Sequence, residues 1–171
     1  MVFISGVRGV GKTFFCEMAK NATGLETFSA SKLIAQYKHF EFAKDKLIPD
    51  IDDNQHYLLS AVNMLKASGQ NFLLDGHLCL FDSFGNVTRI SPTTFQTLNP
   101  EAIVLLIEKP EIIAARRRER DGVEVALQTI ECFQQEECSY AKEISSLVNA
   151  KLFISKGSND LTSAVSFIKS L

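Results

Sequence analysis

Residues 6–13 form the glycine-rich motif G-x-x-x-x-G-K-T, which restricts this chain to a small set of folds. The motif follows the apolar run Val2–Ser5, which favours a buried strand, and residues 14–22 continue in a helix-compatible pattern. A strand, a glycine-rich turn and a helix in this order are the setting in which such a turn wraps around phosphate groups. The motif predicts a phosphate-binding loop made of Gly6, Val7, Arg8, Gly9, Val10, Gly11, Lys12 and Thr13.

The residue types in this loop explain the predicted chemistry. Glycines permit a tight turn whose backbone N–H groups point inward at phosphate oxygens, and the helix that follows adds the positive end of its dipole. We expect Lys12 to reach the β- and γ-phosphates of a nucleotide. We expect Thr13 to offer its hydroxyl to Mg²⁺. A nucleoside triphosphate and Mg²⁺ are therefore the expected ligands of the loop.

The composition fits a single domain and gives no signal for a nucleic-acid or membrane partner. Hydrophobic residues make up 46% of the 171 residues, charged residues make up 22%, and the net charge is −2. No apolar run reaches the roughly 18 residues of a membrane helix, and the first residues lack a signal-peptide pattern. The four cysteines form no C-x-x-C pair, which favours reduced thiols in a cytoplasmic protein. The sequence does not indicate an oligomeric state.

Strand-like and helix-like segments alternate along the chain, whereas residues 77–90 form a long turn-rich segment and residues 38–50 are mixed and polar. Such alternation predicts an α/β three-layer sandwich around a parallel, five-stranded sheet. Ligands gather at the carboxyl ends of parallel strands, so we expect the residues that follow strands to converge on one edge. The predicted strands are 2–5, 25–28, 71–75, 102–107 and 151–154, and the predicted helices are 12–21, 32–37, 52–68, 92–98, 111–118, 125–148 and 160–168.

Asp75 ends the predicted apolar strand 71–75, and His77 follows two positions later. An acid at the end of a buried strand, beside a phosphate-binding loop, is the usual ligand that orders Mg²⁺. We therefore expect Asp75 and Thr13 to hold the metal. His77 is predicted to orient a substrate or an attacking oxygen, although a structural hydrogen-bonding role is an equal alternative.

Four arginines lie between positions 116 and 120, followed by Gly122. Guanidinium groups match the oxygens of a moving phosphoryl group better than ammonium groups do. This pattern predicts a flap, about residues 116–124, that closes over the nucleotide and excludes water. Arg116 and Arg120 are the favoured catalytic pair, and Arg117 is predicted to bind the nucleotide. A solvated helix face is the alternative for some of these residues.

The segment of about residues 29–70 is predicted to insert into the domain and to hold the acceptor. Ser29 and Ser31 follow the second strand and are candidate acceptor-binding residues, with helix capping as an equal alternative. Asp82 and Arg89, in the segment after His77, are weaker candidates for the same role. A turn is the alternative for both.

Taken together, these motifs resemble the P-loop nucleoside monophosphate kinases, in particular the archaeal-type adenylate kinases. The resemblance spans nearly the whole chain, through the loop, the Phe28–Ser31 turn, the Asp75-x-His77 strand end and the arginine flap. The resemblance implies that ATP donates a phosphoryl group to a nucleotide, with Lys12 stabilising that group, Thr13 and Asp75 holding Mg²⁺, and residues 116–120 forming the closing lid. The turn after the second strand lacks the arginine that many adenylate kinases use to grip the acceptor's phosphate.

Two functions therefore follow from the sequence. The first is an ATP- and Mg²⁺-dependent kinase that acts on a nucleoside monophosphate or a similar small acceptor, with a sugar or shikimate-type acceptor as a variant. The second is an ATP-hydrolysing switch that acts on a protein or RNA partner. The position of His77 beside Asp75, where it would be able to orient water, motivates the second function.

Overall fold

The computed structural model describes residues 1–42, 51–82 and 84–171, in which helices and strands alternate as the sequence predicts. The remaining positions include part of the polar segment 38–50. In chain order the elements are β1 (Val2–Ser5), α1 (Lys12–Thr23), β2 (Glu26–Ser29), α2 (Ala30–Phe42), α3 (Ile51–Ala67), β3 (Phe72–Asp75), β4 (Cys79–Phe81), β5 (Val87–Arg89), α4 (Pro92–Leu98), β6 (Ala102–Ile107), α5 (Pro110–Asp121), α6 (Leu127–Leu147), β7 (Lys151–Lys156) and α7 (Leu161–Lys169).

Five strands form one parallel sheet in the order β2-β3-β1-β6-β7. The central strand is β1, in which Ile4 pairs with Asp75 on one side and with Val104 on the other. The loop that follows β1 therefore leaves the sheet at the middle of its carboxyl edge. The side chains of β1 and of most of β6 are buried, as expected for a sheet covered on both faces.

Helices cover both faces of this sheet. On one face α1 packs against α7, while on the other face α6 packs on β6 and contacts α4, which in turn contacts α3. Aromatic side chains join the layers, since Phe3 of β1 meets Phe95 of α4 edge-on with ring centroids 5.5 Å apart. The predicted three-layer α/β fold is confirmed.

Two parts of the fold differ from the sequence prediction. Helix α2 begins at Ala30 rather than Lys32, so Ser31 lies in the first turn of the helix instead of preceding it as a cap. The turn-rich segment after His77 contains an antiparallel hairpin, in which Cys79 pairs with Arg89 and Phe81 pairs with Val87. Strands of three residues are too short to show a clear alternation, which is why the sequence did not indicate them.

None of the helices in the described ranges combines the length and the apolar character that crossing a bilayer requires.

Candidate active site

A cavity of about 1050 Å³ opens at the carboxyl edge of the sheet. The glycine-rich loop divides it into two halves. The half beside the ends of β6 and β7, named the donor half after the expected role of the loop, includes Arg116 and Arg120 of α5. The acceptor half lies beside the ends of β2 and β3, and it is bounded by α2, α3 and α4. As predicted, the residues that follow separate strands converge on this edge, namely Arg8–Phe14, Ser29–Ser31, Asp75–His77, Ile107–Glu108 and Gly157–Ser158.

The conformation of the loop depends on glycine at positions where other residues would clash. Gly6 has φ +144°, and a Cβ there would lie 2.6 Å from the carbonyl oxygen of Leu106. Gly9 has φ +94°, and a Cβ there would lie 2.8 Å from Cγ of Arg117. The loop therefore packs tightly on β6 and α5, which leaves its other side free to face the cavity. Residues 8–13 line the cavity, while Gly6 and Val7 lie beneath them.

Lys12 lines the cavity with only 9% of its surface exposed. Its Nζ donates a hydrogen bond of 2.7 Å to the carbonyl oxygen of Gly6, and it lies 4.0 Å from Oδ1 of Asp75. Burial lowers the pKa of Lys12, and the carboxylates of Asp75 and Glu137 oppose that shift. A buried ammonium group with few partners is well placed to bind an anion, because an anion would replace the hydration that the folded protein denies it.

His77 lies on the acceptor side of Lys12, with Nε2 3.5 Å from Nζ of the lysine. Its Nδ1 is buried and has no hydrogen-bond partner within the described part of the chain. Burial and the nearby ammonium of Lys12 lower the pKa of His77 to about 3, so the imidazole is uncharged at neutral pH. An uncharged imidazole is able to orient a hydroxyl group or a water molecule without repelling Lys12.

The two predicted metal ligands flank Lys12. Thr13 is exposed at the cavity wall, and Asp75 is partly buried, which raises the pKa of its carboxyl group while Lys12 opposes the shift. Across residues 1–42, 51–82 and 84–171 there is no cluster of three or more His, Cys, Asp or Glu side chains arranged to hold a metal. One hydroxyl and one carboxylate nevertheless suit Mg²⁺, which keeps several waters and takes further oxygens from phosphates.

Arg116 is bound directly to the loop. Its Nη1 donates a 2.9 Å hydrogen bond to the carbonyl oxygen of Val10, and its Nη2 lies 3.8 Å from Glu108 and 3.4 Å from the hydroxyl of Ser158. The ends of β6 and β7 thereby hold this guanidinium group in the donor half. Arg116 is thus already placed in the structure beside the predicted phosphate site.

Arg8 and Arg120 share one carboxylate at the mouth of the donor half. Asp121 accepts two hydrogen bonds of 2.8 Å from Arg120 and lies 3.3 Å from Arg8. Arg117 is placed differently: its aliphatic part packs behind the loop at Gly9, and its side chain is outside the cavity lining. The predicted flap is continuous with α5 as far as Asp121, so these arginines extend from a helix end rather than from a separate loop.

The predicted acceptor-binding residues divide into two pairs. Ser29 and Ser31 both line the acceptor half, with their hydroxyl oxygens 3.0 Å apart. Asp82 and Arg89 do not reach the cavity. Asp82 accepts hydrogen bonds from the backbone of Phe84 and Asn86 and so closes the hairpin turn. Arg89 forms ion pairs with two glutamates of α6 and stacks on Tyr140, 4.7 Å from its ring centroid.

Glu137 is a site-supporting residue that the sequence analysis missed. Its carboxylate is fully buried on α6 and accepts hydrogen bonds from the backbone N–H groups of Leu78 and Cys79 at 3.0 and 2.9 Å. It thereby fixes the segment that carries His77. The signal was an acid on the apolar face of a helix, four residues after Phe133 and four residues before Ala141.

Comparison with known proteins places this site in a wider group. A family model described as an AAA domain matches residues 5–133, which is more than half of the chain and includes the loop, Asp75 and α5. The chain belongs to this AAA-domain family. No curated protein sequence matches the chain.

Solved structures share the fold of this AAA-domain chain at low identity. A gluconokinase from Sinorhizobium meliloti 1021 is 17% identical with a TM-score of 0.57, and the match covers 96% of this chain and 86% of that one. A shikimate kinase from Bacteroides thetaiotaomicron is 12% identical with a TM-score of 0.62, covering 99% and 96%. A shikimate kinase from Acinetobacter baumannii, in complex with shikimate, is 16% identical with a TM-score of 0.62, covering 99% and 90%. The AAA-domain chain therefore has the fold of P-loop kinases.

Proposed function

We propose that this chain is an ATP- and Mg²⁺-dependent phosphotransferase that acts on a small-molecule acceptor. The observation that carries the proposal is the buried ammonium of Lys12 in a loop that lies between two halves of one cavity. A triphosphate would occupy the half that contains Arg8, Arg116 and Arg120. The opposite half, beside Ser29 and Ser31, leaves room for a second molecule.

The donor half contains the groups needed to bind a triphosphate. Backbone N–H groups of residues 8–13 and the start of α1 would surround the β- and γ-phosphates, and Lys12 would neutralise the far end. Thr13 and Asp75 would hold Mg²⁺. When bound, the nucleotide supplies the phosphoryl group and the metal offsets its charge.

The residues of this chain act by positioning and electrostatics. Lys12 lies between the two halves, where negative charge develops on a phosphoryl group in transit. Arg116 is held close to the loop by Val10, and Arg120 is able to exchange Asp121 for phosphate oxygens. His77 presents an uncharged imidazole toward the acceptor side, where it would orient the attacking hydroxyl.

The lining of the acceptor half bears on the identity of the acceptor. The resemblance to adenylate kinases suggests a nucleoside monophosphate, while the structural neighbours are kinases named for gluconate and shikimate. Of the described residues that line the acceptor half, none is a lysine or arginine that would hold a phosphate. This lining favours a small acceptor other than a nucleotide.

The free thiols of Cys16, Cys79, Cys132 and Cys138 are consistent with the proposed cytoplasmic location.

Labelled phosphate from γ-labelled ATP tests the proposal directly. The protein, with Mg²⁺, should transfer the label to at least one member of a panel of nucleotides, sugars and cyclic alcohols. Lys12→Ala should reduce that transfer to background. Lys142→Ala removes an exposed lysine on α6 and should leave it unchanged. If the wild type transfers no more label than Lys12→Ala for every acceptor, the protein is not a kinase.

A second candidate function is a switch driven by ATP hydrolysis that acts on a protein or RNA partner. The unpartnered Nδ1 of His77 favours it, because this atom would be able to position a water molecule in place of an acceptor hydroxyl. A pull-down with and without a non-hydrolysable ATP analogue tests this function. A partner retained only with the analogue would support the switch, and identical retention in both samples would count against it.

A further inference from the structure

The two halves of the cavity differ sharply in charge. The cationic side chains of the lining, Arg8, Lys12, Arg116 and Arg120, belong to the loop or to the donor half. Beyond the loop, the charged group of the described acceptor lining is the carboxyl of Asp75. Within the part of the chain that the structure describes, an anionic acceptor would therefore have no cation dedicated to its own charge.

Apolar side chains form a large part of the acceptor half, beside the hydroxyl groups of Ser29, Ser31 and Thr94. Phe3 and Phe95 form one wall with their edge-on contact, and the remaining apolar members come from α2, α3, α4 and the hairpin. Such a surface gains by covering an apolar body and gains nothing from a heavily hydrated one. The apolar residues that α2, α3, α4 and the hairpin segment contribute to the acceptor half are Ile34, Leu58, Leu80, Ile90 and Leu98.

Two carboxamides interrupt this apolar wall. The side-chain oxygens of Asn54 and Gln55, neighbours near the start of α3, are buried and have no hydrogen-bond partner in the described part of the chain. Both residues line the cavity. Buried polar atoms in folded proteins are nearly always paired, so two orphans on one cavity wall indicate ligand groups that pair with them. A hydroxyl both donates and accepts, and it therefore satisfies either face of a carboxamide.

We infer that the acceptor is an uncharged alcohol with an apolar body and at least two hydroxyl groups, two of which bind Asn54 and Gln55. This inference rests on the proposed function and narrows it. In the transfer, the reacting hydroxyl oxygen forms a bond to the γ-phosphorus of the nucleoside triphosphate. The bond from that phosphorus to the bridging oxygen of the β-phosphate breaks, nucleoside diphosphate leaves, and the hydroxyl proton is released to solvent.

Two pairs of acceptors, each with one anionic and one uncharged member, provide the test. Adenosine is compared with adenosine monophosphate, and shikimate methyl ester with shikimate, using the full chain with ATP and Mg²⁺. Formation of the phosphorylated product is measured by mass spectrometry. We expect kcat/KM to be at least tenfold higher for the uncharged member of at least one pair, and lower for the anion in both.

The carboxamides are tested in the same assay. Asn54→Leu and Gln55→Leu should each raise the KM for the uncharged acceptor about five- to tenfold, the effect of one lost hydrogen bond. The KM for ATP should stay within twofold. Asn63→Leu changes an exposed amide on the same helix and is the matched control, with no effect expected on either constant.

The outcomes separate this inference from the function on which it rests. A preference for the anionic member in both pairs would overturn the uncharged acceptor and leave the kinase intact. Transfer to none of the four compounds, while ATP and Mg²⁺ still bind in calorimetry, would overturn the inference as well. If Asn54→Leu or Gln55→Leu does not fold, the two acceptor pairs, each with a charged and an uncharged member, still decide between these outcomes when assayed with the wild type.

Discussion

The carboxylate of Glu137 accepts a hydrogen bond of 2.7 Å from the hydroxyl of Ser5, and both side chains are fully buried. Ser5 ends β1, and Glu137 belongs to α6, 132 residues later. The hydroxyl of Ser5 also accepts a hydrogen bond of 3.1 Å from the backbone N–H of Leu78. One buried acid thus connects the start of the phosphate-binding loop to the segment that carries His77.

Replacing this acid should destabilise the protein in a way that depends on the substitute. Glu137→Ala removes the acceptor of the buried Cys79 N–H and of the Ser5 hydroxyl, while the N–H of Leu78 keeps its bond to Ser5. The free energy of unfolding should fall by roughly 2–5 kcal/mol. Glu137→Gln keeps an acceptor oxygen and should lose less. Urea denaturation at pH 7 measures both changes. Equal losses for the two variants would show that the hydrogen bonds contribute little.

The same group should make stability depend on pH. Burial raises the pKa of Glu137 above its ordinary value of 4.5, against the opposing effect of its hydrogen-bond donors. Between pH 4.5, the ordinary pKa that applies to the unfolded chain, and the higher pKa of the folded protein, the folded state binds more protons than the unfolded state. The free energy of unfolding therefore falls as pH rises through this range. The free energy of unfolding of Glu137→Gln, relative to wild type, should therefore increase with pH above 4.5. A difference that stays constant from pH 4 to 8 would contradict this prediction.

Lys12→Met should separate function from stability. Loss of the ammonium group should lower kcat for phosphoryl transfer by about 10²–10³-fold, the typical effect of removing one such stabilising group. Burial lowers the pKa of Lys12, so its charge is costly in the free protein. Met no longer has a charge to desolvate, but Asp75, which is partly exposed at 4.0 Å, loses its ion-pair partner. These effects oppose each other, so we expect the free energy of unfolding to change by less than about 1 kcal/mol. A variant that is both inactive and strongly destabilised would mean that the lysine is mainly structural.

Arg116 and Arg118 form a matched pair of arginines on α5. Arg116 binds the carbonyl of Val10 and lines the donor half, whereas the side chain of Arg118 is exposed and outside the cavity lining. Arg116→Ala should raise the KM for ATP about tenfold through the loss of a charge-assisted contact to phosphate. Arg118→Ala should change it less than twofold. Similar constants for the two variants in steady-state kinetics would remove Arg116 from the nucleotide site.

Arg89→Ala tests whether this arginine is structural. Its partners are Glu136 and Glu143, with Nη1 2.8 Å from the latter, and it lies outside the cavity. Exposed ion pairs and an arginine stacked on a ring contribute little, so we expect a loss of about 1 kcal/mol in the free energy of unfolding. The KM for both substrates should remain within twofold. A large rise in the KM for the acceptor would instead show that Arg89 contributes to acceptor binding.

Much of the fold could be predicted from the sequence because its signals are local. Runs of apolar residues such as Ala102–Ile107 specify buried strands, and Pro92 begins α4 at the predicted position. The hairpin could not be predicted, because its short strands are specified by cross-strand pairing and by contacts with α6 rather than by their own pattern. Helix α2 likewise starts where β2 ends, and no residue in between marks the boundary.

The candidate site was predicted only where a motif carries its own chemistry. Lys12 and Asp75 follow from the loop and from the acid at a strand end, and the structure places them 4.0 Å apart. Asn54, Gln55 and Glu137 carry no such motif, because their position depends on how α3 and α6 pack against the sheet. Arg89 is a weak acceptor candidate from the sequence, because the sequence alone does not show that two glutamates on α6 face it.

The strand order has a consequence for the stereochemistry of the reaction. Because β1 lies between β3 and β6, the acceptor hydroxyl and the leaving nucleoside diphosphate would lie on opposite sides of the γ-phosphorus. One direct in-line displacement then inverts the arrangement of the three remaining oxygens around phosphorus. A chiral thiophosphate passed from donor to acceptor by this protein should therefore emerge with inverted configuration, whereas two successive displacements through an enzyme-bound phosphate would retain it.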